Sequence, residues 1–417
     1  MSPGCRVGEH LSPSALTGAP SLPPSGGRPA VRADGALILG GAHGSLAIAR
    51  SLGRRGIPVG FARHDHPIVG YSRYTRFTAP WPGPNAPGAV DALVDLASRR
   101  GLKGWALFPG GDAEARLLAQ HRDVLSCTFN VAAPPWSVAQ HTYDKRLTDR
   151  HARALRIAAP LSLFPRSADA LQSWSGGFPA ILKPAVHDDR NAFTLAKAWR
   201  ADDAHALARH YERAAALVGA DAVVVQELIP GGGEAQFSYA GVWDRGKPVA
   251  ALVARRTRQY PIDFGYTSTF VETVENPVVR EAAERFLAAL DYSGLVEIEF
   301  KHDARDGRCK LIDANGRIWA WAGIGTAAGL DFPHLAYRLA MGEKIEPQPS
   351  SRDAAWVHLA RNVVAAVQEI AAGRTSLSAL APKTGRPLAY AAFAADDPLP
   401  GLVEMPLTLG RALRRRS

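Results

Sequence analysis

Two runs in the C-terminal half constrain this chain most. Val296-Glu297-Ile298-Glu299-Phe300 alternates apolar and acidic residues, and Lys310-Leu311-Ile312-Asp313-Ala314-Asn315-Gly316-Arg317 follows it. Successive side chains on a strand point to opposite faces, so Glu297 and Glu299 share one face while Val296, Ile298 and Phe300 take the other. On the second run Asp313 and Asn315 share a face, and Arg317 continues it if the chain stays extended. Pairing the two strands gathers Glu299, Asp313 and Asn315 beside a guanidinium. Hard oxygen donors of this kind suit Mg²⁺, which binds through a few carboxylates together with substrate phosphates. An edge ladder of solvated acids is the other reading of the same alternation.

The N-terminal part reads differently. Residues 1–33 are rich in Pro, Gly, Ser and Ala without periodicity, the composition of a disordered leader. A short apolar run at Ala36 to Leu39 then meets Gly40-Gly41-Ala42-His43-Gly44-Ser45, and apolar residues at helical spacing follow in the run from Leu46 to a Gly stop at Gly56. Strands are expected at Ile57 to Phe61 and Trp105 to Phe108, and helices at Asp91 to Arg100 and Asp112 to His121. Such alternation predicts a parallel sheet with helical crossovers, a Rossmann-like domain over residues 34–133. After Pro134-Pro135 the order loosens into α+β character over 134–345. One helix is expected from Ser137 to Leu155 and another from Ala354 to Ala372, with a Pro-, Ala- and Arg-rich tail closing residues 346–417.

Two lysines stand where a phosphate could be met. Lys145 opens a helix in Tyr143-Asp144-Lys145-Arg146, and Lys183 ends a strand in Ile181-Leu182-Lys183-Pro184. Each taken singly reads more often as a surface lysine. The strand Val223-Val224-Val225-Gln226-Glu227-Leu228-Ile229-Pro230 turns polar where it breaks, ahead of three glycines and Glu234. Backbone groups at such a break can read an adenine edge, Leu228 and Ile229 can sandwich its rings, and Glu234 can accept from ribose hydroxyls. A plain strand running into a Gly-rich hairpin explains the glycines but not the acids.

Composition excludes several classes. No stretch reaches the roughly 18 apolar residues of a membrane helix, and the first ten residues lack a signal-peptide pattern. Three cysteines without a CxxC pair argue against a disulfide framework or a thiolate zinc site, and a cytoplasmic location is expected. The 49 Lys and Arg against 39 Asp and Glu give a net charge of +10, but four of the arginines are Arg411, Arg414, Arg415 and Arg416. No basic stripe is interleaved with aromatics, so nucleic acid is not an expected partner.

In this order the features resemble the ATP-grasp carboxylate–amine ligases, over about residues 34–345. The ordered features are a Gly-rich Rossmann-like domain, an Asp-Lys helix, a Lys at a strand end, a Gln-Glu-Leu-Ile hinge, a Glu seven residues after the hinge Glu, and Glu with Asp-x-Asn-x-Arg. The run from Arg255 to Pro261 is similar to the D-aspartate ligase-like branch. The resemblance implies a two-lobed ATP-grasp domain behind a pre-ATP-grasp domain. It also implies ATP and Mg²⁺ as cofactors, and small-molecule carboxylate and amine substrates. Residue by residue it gives Lys145 and Lys183 to the phosphates, and Gln226, Glu227, Leu228 and Ile229 to adenine. Glu234 falls to the ribose, Glu299, Asp313 and Asn315 to the metal, and Arg317, Arg256 and Arg258 to the reacting group. Asp313 stands where glutamate is commoner in the family, and Gly316 where proline is. The loop from Pro184 to Arg190 has no glycine, so a phosphate lid would draw on Arg190 or Lys197. A homodimer is open beside a monomer.

Two other readings stay open. Gly40-Gly41-Ala42-His43-Gly44 could serve a nicotinamide-dependent oxidoreductase, although the GxGxxG spacing fails at His43 and Leu46. A non-catalytic nucleotide-binding partner is the second. His43 is expected as a turn residue, His64 and His66 as members of a surface loop, and Trp319 and Trp321 as packing residues or a pocket wall.

Overall fold

The computed structural model describes residues 34–186, 191–260, 267–349, 352–371, 373 and 385–414. The expected leader, Arg190, Pro261, Arg415 and Arg416 lie outside the described residues. From Ala36 onward a five-stranded parallel sheet forms, in the order Thr75–Pro80, Val59–Arg63, Ala36–Leu39, Ala106–Pro109, Asn130–Val131. Ala36–Leu39 and Ala106–Pro109 are buried on both faces, which explains why they read as unbroken apolar runs rather than alternating ones. The strand order reverses between these two, and the crevice beyond their carboxyl ends is the usual ligand position in such sheets. Here it is narrow. Gly41 has φ +80, and a Cβ added to it would come within 2.6 Å of the Gly110 carbonyl oxygen.

The rest of the chain builds two more sheets. A four-stranded antiparallel sheet runs Ser162–Leu163, Val223–Glu227, Ala180–Pro184, Trp199–Ala201. A seven-stranded sheet runs Arg308–Asn315, Gly294–Asp303, Gln236–Asp244, Lys247–Tyr260, Thr267–Thr273, Ala355–Val357, Leu388–Tyr390, antiparallel except for its last pair. The helix Pro277–Ala288 packs on the large sheet through Val279, Ala283, Phe286 and Leu287, and Ala204–Val218 covers the small one through Leu207, Tyr211 and Ala214. A further apolar core joins the first sheet to the large one, with Trp319, Trp321, Phe332 and Trp356 at its centre.

Three segments depart from the sequence reading. The helix expected from Ser137 to Leu155 is divided into Trp136–Ala139, a 3-10 turn Gln140–Thr142, and Lys145–Ala154. Asp144 is extended and its carboxylate accepts from the Arg146 amide, so it caps a new helix rather than continuing an old one. The expected helix Ala354 to Ala372 starts only at Leu359, because Ala355–Val357 adds to the large sheet against Thr267–Thr273 and buries Trp356. The tail contributes the strand Leu388–Tyr390 and the helix Leu399–Arg414, which runs through Pro406. Buried Arg50 holds this tail by bonding the Asp397 carboxylate at 2.9 Å and the Ala392 carbonyl at 2.6 Å.

Candidate functional site

A cleft of about 1210 Å³ opens between the four-stranded and seven-stranded sheets. Its floor is the acidic end of the large sheet. The pairing of Gly294–Asp303 with Arg308–Asn315 sets Glu299 opposite Asp313 and Glu297 opposite Asn315, and directly opposed residues share a face. Gln236, opposite Arg256 on the neighbouring strand, donates its amide to Glu299 Oε2 at 2.7 Å, and Arg256 approaches the same oxygen at 3.4 Å. The structure thus brings Glu299, Asp313 and Asn315 together.

Both lysines reach this floor from the other side. The backbone amide of Lys145 bonds the Ala185 carbonyl at 3.1 Å, which ties the start of its helix to the end of the Lys183 strand. Lys145 Nζ lies 2.7 Å from Asp313 Oδ1. Burial works against its charge, but Asp313 outweighs burial and holds the ammonium above its ordinary value. Lys183 Nζ donates to Gln226 Oε1 at 3.0 Å. With Lys145 nearby and no direct carboxylate bond, burial pulls its ammonium down to about 8. Lys197, in a left-handed conformation at φ +62, lines the same cleft, and burial lowers it too.

The hinge supplies the apolar wall. Ile181, Leu228, Ile229 and Pro230 line the cleft beside Gln226. The Glu227 carboxylate, on the cleft lining, joins the two lobes. It accepts from the Leu161 amide at 3.0 Å, from Lys310 Nζ at 2.9 Å and from Arg305 at 2.7 Å. Lys310 and Arg305 in turn bind the fully buried Asp303. Glu234 is exposed at the cleft edge, its carboxylate accepting from the Gly232 amide at 2.9 Å.

The arginines divide. Arg317 forms a two-point pair with Asp112, at 2.8 and 3.2 Å, and reaches Asn315 Oδ1 at 3.3 Å. Burial opposes its charge, and Asp112, Glu297 and Glu299 outweigh that and raise it. Arg258 donates to Glu369 at 2.9 Å and to Asn362 at 3.0 Å, both on the helix Leu359–Ala371. It still lines the cleft, as do Arg256 and Glu369.

Sequence reasoning missed Asp112, Gln236, Glu297 and Glu369 as site residues. Asp112 opens a helix right after Gly110-Gly111, at the crevice of the first sheet, and that position was its available signal. Glu297 is only 4% exposed and accepts from Trp321 Nε1 at 2.9 Å. Burial, with Glu299 adding to it, pushes its carboxyl up to about 7. Trp319 and Trp321 are core residues. Arg63, His64 and Asp65 are exposed, as the expected surface loop requires, and His64 bonds Glu114 at 2.5 Å, whereas His66 turns inward and is buried.

Comparison with solved structures decides the fold. An L-amino acid ligase from Bacillus licheniformis superposes with a TM-score of 0.58 at 16% identity, over 76% of this chain and 77% of its own. A biotin carboxylase from Campylobacter jejuni gives 0.61 at 15%, over 76% and 73%. N5-carboxyaminoimidazole ribonucleotide synthetase from Thermus thermophilus gives 0.58 at 16%, over 77% and 82%. The fold is that of the ATP-grasp ligases. No protein-family model matches the sequence, and no curated protein matches it. Among the described residues no helix is long and apolar enough to cross a membrane.

Proposed function

We propose that the protein is an ADP-forming ligase that activates a carboxylate with ATP, as an acyl phosphate, for attack by an amine. The observation that carries this reading is the convergence of Lys145, Lys183, Glu299 and Asp313 on one cleft with an apolar hinge wall, with Asn315 and Arg317 bonded to each other next to it. The likeness to ligase structures supports the chemistry but does not name the substrates.

The donor set fits Mg²⁺. Glu299 and Asp313 oppose each other across one strand pair, with Asn315 two residues on, and two carboxylates with one amide leave room for phosphate oxygens in the coordination shell. When bound, Mg²⁺ would neutralise phosphate charge and polarise the P–O bonds. The chain's own groups do the rest. Lys145, paired with Asp313 in the free protein, would supply one ammonium to the phosphates and Lys183 a second. Gln226, Leu228 and Ile229 hold the base, with Glu227 acting as a lobe brace through Lys310 and Arg305. Glu234 lies where a ribose hydroxyl could replace its bond to Gly232.

Arg317, fixed by Asp112, presents a planar guanidinium at the junction of the cleft and the first sheet. There it would stabilise charge on the carboxylate and the transferring phosphoryl. Arg256 and Arg258 complete a cationic rim for the acid or its tetrahedral adduct. No covalent nucleophile is required.

The D-aspartate ligase-like assignment rests on the Arg255 to Pro261 resemblance, and a homodimer on analogy with a 2-oxoglutarate carboxylase domain described as a dimer. A nicotinamide-dependent reaction is disfavoured by the Gly-rich turn. A Cβ on Gly44 would meet the Trp319 carbonyl oxygen at 2.7 Å, so the chain itself fills the space near that helix start. A nucleotide-binding partner without catalysis is disfavoured by the full set of lysines and acids. The test is ADP release from MgATP across a matrix of carboxylic acids and amines. Stimulation that requires one acid and one amine together is the expected result, and a rate indifferent to every pair refutes the assignment.

A further inference from the structure

A second constellation lies away from the cleft. His43 opens the helix His43–Gly53, His358 follows the strand Ala355–Val357, and Glu404 sits on the helix Leu399–Arg414. Their exposures are 8, 1 and 7%. Glu404 Oε1 is 2.6 Å from His43 Nε2 and 3.2 Å from His358 Nε2. One donor atom from each residue lies within 4.8 Å of the others. The two imidazole rings are 4.7 Å apart, and His66, also buried, lies 6.2 Å from His43. None of these residues lines the nucleotide-sized cleft.

Hydrogen bonding accounts for only part of this arrangement. One proton between His43 and Glu404 satisfies that pair. His358 Nε2 makes no hydrogen bond although it is fully enclosed, and an unsatisfied buried polar atom is destabilising. We propose that His43, His358 and Glu404 form a binding site for one divalent transition-metal ion, zinc, that clamps the C-terminal helix to the first domain. Two imidazoles and a carboxylate are a common zinc donor set. Bonds of about 2.0–2.1 Å in a tetrahedron place donor atoms about 3.3 Å apart. The 3.2 Å edge matches, and the 2.6 Å edge opens by a fraction of an ångström. The Arg361 amide donates to His358 Nδ1 at 3.4 Å, a long and weak bond that metal binding through Nε2 gives up as the ring proton moves to Nδ1. Full burial and separation from the cleft make the site structural rather than hydrolytic. It closes the same junction that Arg50 and Asp397 bridge at 2.9 Å.

The test uses the untagged full-length chain, purified without metal-affinity resin. Elemental analysis should find about one zinc per chain. Removing it with a chelator and restoring Zn²⁺ should raise Tm by about 4 °C or more. Co²⁺ added to the stripped protein should give the visible absorption of a tetrahedral site. That signal should survive Glu299→Gln, which alters the cleft, and vanish in His43→Ala and His358→Ala. If the histidine variants fail to fold, the wild-type measurements decide alone. Metal-free protein with no Co²⁺ spectrum and no Zn²⁺-dependent Tm overturns the proposal and leaves a hydrogen-bonded His–Glu–His cluster. A Co²⁺ signal abolished by Glu299→Gln overturns it equally, because the ion would then sit in the cleft.

Discussion

Glu297→Gln tests the electrostatics of the acidic floor without removing a group that faces solvent. Glu297 is buried beside Glu299, and its carboxyl is raised from the ordinary 4.5 to about 7, burial contributing most and Glu299 next. The sign follows from linkage. Below pH 4.5 the carboxyl is protonated in both folded and unfolded chains and contributes no difference. Between 4.5 and 7 the unfolded chain ionises while the folded one stays protonated, so folding loses stability as pH rises. Above 7 the penalty is constant. A gap of roughly 2.5 in pKa at about 1.36 kcal/mol each gives an upper bound of about 3 kcal/mol. About 2 kcal/mol of that develops between pH 5.5 and 8.5. Gln carries no charge and keeps an oxygen for Trp321 Nε1, so the variant should be more stable than wild type, increasingly so at high pH. Urea unfolding followed by tryptophan fluorescence at pH 5.5, 7 and 8.5, without added Mg²⁺, measures the gap. A stability difference that does not change with pH, or a wild type more stable at pH 8.5, refutes the reasoning.

Two further outcomes follow from the cleft. Lys183 titrates near 8 in the free protein, and bound phosphate would raise it again, so ATP affinity should fall as pH rises above 8, by up to tenfold per pH step. Calorimetry from pH 7 to 9.5 checks this, and Lys183→Met should bind more weakly at pH 7 and lose the slope; an unchanged slope in the variant contradicts the placement. Glu227→Gln breaks bonds to Lys310 and Arg305 that are worth about 1.5–3 kcal/mol each when charged. It should lower Tm and weaken ATP and ADP alike, whereas a selective loss of ATP would show that Glu227 meets the γ-phosphate end.

Much of this molecule was legible in its sequence, for physical reasons that also mark where legibility stopped. Alternation over 296–300 and 313–315 determines which face each acid takes, because one buried face admits only one register, whereas the bulge at Ile312 that sends both Leu311 and Ala314 into one core left no signal in the sequence. The first sheet was legible because fully buried parallel strands are short apolar runs punctuated by glycine. The tail was not. Its strand at Leu388–Tyr390 and its helix through Pro406 carry weak local preference and exist because Arg50 and the apolar core hold them. Pairings across long sequence separations left no local trace either. Nothing near Arg317 announces Asp112, nothing near Arg258 announces Glu369, and His43 reads as a turn residue until Glu404 is beside it.

Trapping the activated acid bears most directly on the proposed chemistry. With the acid found by screening, MgATP and hydroxylamine in place of the amine should yield ADP and the hydroxamate of that acid in equal amounts in a single turnover. Arg317→Lys keeps the charge but loses the planar fork held by Asp112. Its single-turnover rate should therefore fall by about 10² or more while ATP affinity stays nearly unchanged. ADP formed without hydroxamate, or an Arg317→Lys enzyme as fast as wild type, would contradict carboxylate activation at this site.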